Sequence, residues 1–100
     1  MGHSRLEPHR TLSRHSDILS TEVSGQIALM SIPNGCYYSL NSVASEIWRK
    51  LEQPTQVGQI AATLADEYSG DPEQIEKDLQ ETLGQWLALH LIEVSAPLHP

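Results

Sequence analysis

Cys36 is the single cysteine of the chain, and a thiol nucleophile needs a histidine base that is itself oriented by a third group. The five histidines stand at positions 3, 9, 15, 90 and 99, four of them in segments read below as chain ends, so no base lies in the local neighbourhood of Cys36. Strand parity puts Cys36 on a core-facing side, and the expectation is a buried, inert thiol. His3, His9 and His15 are six residues apart, which matches neither a helical i,i+4 pair nor the short ligand loops of structural zinc sites. The acidic groups Asp66-Glu67 and Glu76, Asp78 and Glu81 read as solvated helix faces, because no polar partner suggests a catalytic dyad. The expectation is a non-catalytic chain with no metal and no cofactor.

Charge narrows the partners. Thirteen acidic residues against six basic ones give a formal net charge of -7, a field that repels phosphate backbones and steers basic partners inward. Arg5, Arg10 and Arg14 fall in the first fourteen positions, so the body beyond them is more acidic still. A lone cysteine without a CxxC pair fits a reducing cytoplasm. No run approaches the roughly 18 apolar residues that span a bilayer, and no apolar secretory segment opens the chain. Neither a membrane nor nucleic acid is expected as a partner.

The elements that would position a site follow from turns and caps. Residues 1–15 hold three His, three Arg and one Pro with only two Leu, and are read as a flexible tail. Residues 17–23 and 26–32 read as two strands joined at Ser24-Gly25. Pro33, Asn34 and Gly35 form a turn signal, after which residues 36–40 read as a third strand. There Cys36, Tyr38 and Leu40 share one face, expected to be the core side, while Tyr37 and Ser39 share the other.

Asn41 offers a cap for a helix with the stripe Val43, Ala44, Ile47, Trp48 and Leu51. Gln53-Pro54 ends it, and Thr55 offers a cap for a second helix carrying Val57, Ile60, Ala61, Leu64 and Tyr68. Asp71 followed by Pro72 is a strong start for a third helix with the stripe Ile75, Leu79, Leu83, Trp86 and Leu87, running to about His90. Residues 91–94 read as a short strand or extended segment, and residues 95–100, with two prolines, as a loose end.

Three strands followed by three helices predict an α+β domain over residues 16–94, a small three-stranded antiparallel sheet with helices on one face, winged-helix-like. Such a sheet keeps two edges with unpaired backbone groups. A winged helix also raises DNA binding as a rival reading, but residues 72–90 hold Lys77 as their only Lys or Arg, whereas a DNA reader needs cations against phosphates.

The residues Gly35, Cys36, Tyr37, Tyr38, Ser39, Leu40 and Asn41, followed by Ala44, Ile47 and Trp48, resemble the PqqD-like family. Thr55, Val57, Ile60, Ala61, Leu64 and Tyr68 are similar to its second helix, Asp78, Leu79, Leu83 and Leu87 to its third, and Leu91-Ile92 to its end. The sequence departs from the family pattern at Gly58, where an acidic residue is common, and at His90, where glycine is usual.

The resemblance implies a RiPP recognition element, a domain that grips the leader segment of a ribosomally made precursor peptide and presents it to modifying enzymes. The leader is expected to add as an antiparallel strand to the edge of the third strand, with apolar side chains entering a groove against the third helix. Carried onto this chain, the peptide-binding set is Cys36, Tyr37, Tyr38, Ser39 and Leu40 on the strand, with Ile75, Asp78, Leu79, Thr82, Leu83 and Trp86 on the helix. Ile75, Leu79 and Leu83 are also what a plain core stripe looks like, and Asp78 could pair with a basic leader residue. The resemblance further implies a leader peptidase of lasso-peptide biosynthesis as the enzyme partner. The alternative within the family is the chaperone that serves a radical SAM enzyme in pyrroloquinoline quinone biosynthesis.

Overall fold

The computed structural model describes residues 6–94. Nine elements follow in order: β1 (Thr11–Arg14), β2 (Ile18–Val23), β3 (Gln26–Ser31), β4 (Cys36–Ser39), α1 (Ser42–Lys50), β5 (Thr55–Gln56), α2 (Val57–Glu67), α3 (Pro72–Ala88) and β6 (Ile92–Val94). This is the α+β class that the order of strands and helices predicts. The strands form two three-stranded sheets rather than one, ordered β2-β3-β4 and β5-β1-β6.

The first sheet is built by its turns. Ser24 and Gly25 both take positive φ, 54° and 83°, the two-residue hairpin geometry whose twist matches the flanking strands. Gly35 at φ 66° closes the second turn, and its amide donates to the Ser31 carbonyl at 2.8 Å. Along β3 the residues Ile27, Leu29 and Ser31 are buried, so this central strand turns one face inward as alternation requires.

The second sheet corrects the reading of residues 1–15 as a tail. Leu12 is fully buried, and β1 pairs antiparallel with β5 through Thr11–Gln56 and Leu12–Thr55, and with β6 through Leu12–Val94, Ser13–Glu93 and Arg14–Ile92. Upstream, the Leu6 amide donates to Gln80 Oε1 at 2.9 Å and Gln80 Nε2 donates to the Leu6 carbonyl at 2.8 Å. Gly58 receives this segment: its amide donates to the Pro8 carbonyl at 2.9 Å, and a Cβ there would stand 3.0 Å from the Pro8 Cβ. The expected loose ends at 1–5 and 95–100 lie outside the described residues.

Capping follows sequence at two of three helices. Asn41 Oδ1 accepts from the Ala44 amide at 2.8 Å, and Asp71 caps α3 by accepting from Glu73 at 3.1 Å with Pro72 at the first turn. Thr55 does not cap α2. Its hydroxyl donates back to the Lys50 and Gln53 carbonyls and its backbone belongs to β5, so Gln56 starts the helix without a side-chain cap. His90 ends α3 at φ 61°, the left-handed conformation that glycine adopts at helix ends without steric cost.

The core joins both sheets to the helices. Leu12, Leu29, Ile47, Trp48, Ile60, Leu79, Leu83 and Leu91 are all nearly inaccessible, and Trp48 meets Trp86 edge to face with ring centroids 5.5 Å apart. Among the described residues no helix is long and apolar enough to cross a membrane.

Candidate functional site: a free strand edge and a helix-lined pocket

Strand β4 pairs with β3 through Ser31–Cys36, Met30–Tyr37, Leu29–Tyr38 and Ala28–Ser39, and no other described strand lies on its far side. The Leu40 amide donates to the Ile27 carbonyl at 2.8 Å, which makes Leu40–Ile27 a hydrogen-bonded pair. Hydrogen-bonded and non-bonded pairs alternate in an antiparallel ladder. Tyr38 and Cys36 therefore also direct their backbone groups at β3, whereas Tyr37 and Ser39 direct theirs to the open edge.

The end of this edge is pinned to α1 by a buried serine. Ser45, fully buried, accepts from the Ile27 amide at 3.0 Å and donates to the Leu40 carbonyl at 3.3 Å. Its hydroxyl thus stands in the ladder where the return bond of the Leu40–Ile27 pair would run. A buried polar side chain of this kind satisfies two backbone groups at once.

The side chains follow the expected parity with one exception. Leu40 is buried, Tyr38 packs half-buried against the core, and Tyr37 is 74% exposed on the outer face. Cys36 is exposed, not buried. It shares the side of Tyr38 and Leu40, but it opens the outermost strand beside a turn, and its thiol reaches only the Asn34 carbonyl at 3.5 Å.

The six α3 residues of the predicted groove divide in two. Leu79, Leu83 and Trp86 are buried, with Leu83 and Trp86 inside the core. Ile75, Asp78 and Thr82, with the edge of Leu79, line a pocket of about 200 Å³. Its opposite wall comes from α1 and α2, through Val43, Ile47, Leu64 and Tyr68, and no β4 residue lines it. Across this pocket α3 faces two helices, and Val43, three residues beyond Leu40 in sequence, is its closest link in sequence to the strand edge. Asp78 is the pocket's one carboxylate; its Oδ1 accepts from Gln74 Nε2 at 3.0 Å. The lining can hold an apolar side chain and has an anionic rim for a cation. Val43 and Tyr68 were on the predicted helix stripes but not in the predicted site.

A free strand edge fixed in phase by Ser45 and a separate pocket walled by three helices mark a small α+β domain suited to holding an extended chain. The chain belongs to the PqqD family: residues 26–92 match the family model described as coenzyme PQQ synthesis protein D. No curated protein matches it. Among solved structures it is similar to TbiB1 in complex with the TbiA(beta) leader peptide, at 27% identity and a TM-score of 0.78 over 85% of this chain and 99% of that one. It also shares the fold of a lasso peptide synthetase B1 complexed with the leader peptide, at 18% identity and a TM-score of 0.73 over 82% of this chain and 96% of that one.

Proposed function

We propose that this chain is a leader-peptide recognition protein, which binds the leader of a ribosomally made precursor by strand addition along β4 and delivers it to a modifying enzyme. The observation that carries the reading is the phase of the edge: Tyr37 and Ser39 offer their backbone groups outward while Tyr38 holds the sheet together. Main-chain bonds to those two residues supply affinity, and the pocket of Val43, Ile75 and Thr82 selects an apolar leader side chain. Asp78 at the rim favours a leader with a nearby Lys or Arg.

The enzyme served is the leader peptidase of a lasso-peptide pathway, a reading supported by the likeness to TbiB1, whose structure holds a leader peptide. The family description, coenzyme PQQ synthesis protein D, keeps a second reading in view, in which the enzyme served is a radical SAM enzyme. Neighbouring genes separate the two. A transglutaminase-like protease with an asparagine-synthetase-like cyclase supports the first, and a radical SAM gene supports the second.

Calorimetric titration with the cognate leader tests the binding. Micromolar or tighter affinity, with no chemical change in the peptide, is the expected result. Undetectable binding by folded protein contradicts it.

A further inference from the structure

The face of the β2-β3-β4 sheet turned away from the buried Ile27, Leu29 and Leu40 is ordered in rows. Leu19 pairs with Met30 and Met30 with Tyr37; two residues along the same face, Thr21 pairs with Ala28 and Ala28 with Ser39. Directly opposed residues of an antiparallel sheet hold their side chains on one side, so a row of large apolar side chains runs beside a row of small ones. The step between them is a hollow of about 230 Å³, lined by Leu19, Thr21, Ala28, Met30 and Tyr37 among others, none of them charged. This face leaves large apolar groups in water: Leu19 is 55% exposed and Tyr37 74%. Contiguous exposed apolar side chains mark interaction surfaces.

The neighbouring edge says what covers it. Both rows end on β4, the small one at Ser39 and the large one at Tyr37, and β4 is the free border of the sheet among the described residues. A strand added antiparallel there bonds to the outward backbone groups of Tyr37 and Ser39, and the residue opposite each carries its side chain on this same outer face. The residue opposite Tyr37 meets a large side chain. The one opposite Ser39 meets a short, exposed one, with Tyr37 as its diagonal neighbour. Diagonal neighbours stand about 7–8 Å apart, within reach of aromatic and long side chains.

We propose that the bound leader places a large apolar side chain, aromatic or a leucine or methionine, opposite Ser39, where it lies over the serine against Tyr37 at the mouth of this hollow. The inference rests on strand addition along β4 and adds a second specificity contact to it, on the outer face of the sheet rather than in the helix-lined pocket. A charged side chain at this place finds no partner in the lining. Glycine or alanine leaves the apolar row in water, whereas a large apolar side chain removes part of it from water.

NMR of the full chain bound to its cognate leader identifies the leader residue opposite Ser39, from nuclear Overhauser contacts between the two backbones. That residue is expected to be large and apolar and to show contacts to the Tyr37 ring. Its replacement by Ala is then titrated by calorimetry into wild type and into Tyr37→Ser, a variant that keeps the edge amides and removes a side chain the core does not use. The replacement is expected to weaken binding about fivefold in wild type, the upper end for one cross-strand pair, and less than twofold in Tyr37→Ser. A charged residue, Gly or Ala opposite Ser39, an equal loss in both proteins, or a face already covered in the free protein by a second copy, seen as a dimer in sedimentation, would overturn the proposal. If the Tyr37 and Ser39 amides are still protected from hydrogen exchange by leader, such a failure leaves the β4 reading standing; if they are not, both fall together.

Discussion

The amide of Leu40 donates to the carbonyl of Ile27 at 2.8 Å, and this one bond sets which backbone groups of β4 are free. Shifted by one residue, the ladder would turn Tyr38 outward and bury the groups of Tyr37 and Ser39. The bond is supported by Ser45, which holds the remaining backbone groups of the same pair.

Proline at an outward position of an edge strand removes a donor the sheet does not use. Ser39→Pro is therefore expected to fold, with circular dichroism and melting near wild type, and to bind leader more weakly by about 1–3 kcal/mol. Tyr38→Pro removes a donor that the sheet does use and should destabilise the fold. Thermal melts with calorimetry on both variants check the contrast; a folded Ser39→Pro with unchanged affinity removes that amide from the interface.

Val43 is 45% exposed at the mouth of the α-helical pocket, so a charge there is tolerated by the fold and opposed by an apolar ligand. Val43→Asp should keep its melting temperature and lose leader affinity by about tenfold or more, the scale of unburying a side chain of this size. Unchanged affinity would take the pocket out of the binding site.

Leu12 is fully buried in β1, although it lies in a stretch whose composition reads as a loose end. Leu12→Ala should destabilise the domain by about 2–5 kcal/mol, measured by urea unfolding. A change within a few tenths of a kcal/mol would mean that β1 does not belong to the folded unit.

What was legible in the sequence is what local chemistry dictates. Asn41, Asp71 with Pro72, and Ser24 with Gly25 each announce an element within a few residues, and all three act as read. The β5-β1-β6 sheet was not legible, because its strands hold four, two and three residues and pair only with partners far along the chain. Thr55 looked like a cap because hydroxyls favour caps, yet its hydroxyl turned back to α1 once β5 paired with Leu12. Within the site, parity set the side-chain faces of the strand and the family resemblance pointed to its edge, whereas the α3 stripe was ambiguous: Leu83 and Trp86 share helical spacing with Ile75 and Thr82, and only packing assigns the former to the core. Val43 sits beside Ala44 on the same stripe, and adjacent helix positions diverge by about 100°, so one of the two had to flank the core rather than enter it.

Hydrogen exchange at single residues, with and without saturating cognate leader, tests the central claim most directly. Strand addition on β4 predicts new protection at the Tyr37 and Ser39 amides and little change at Tyr38, which already donates within the sheet. Protection gained at no β4 amide while leader is bound, or gained at Tyr38 but not at its two neighbours, would contradict it.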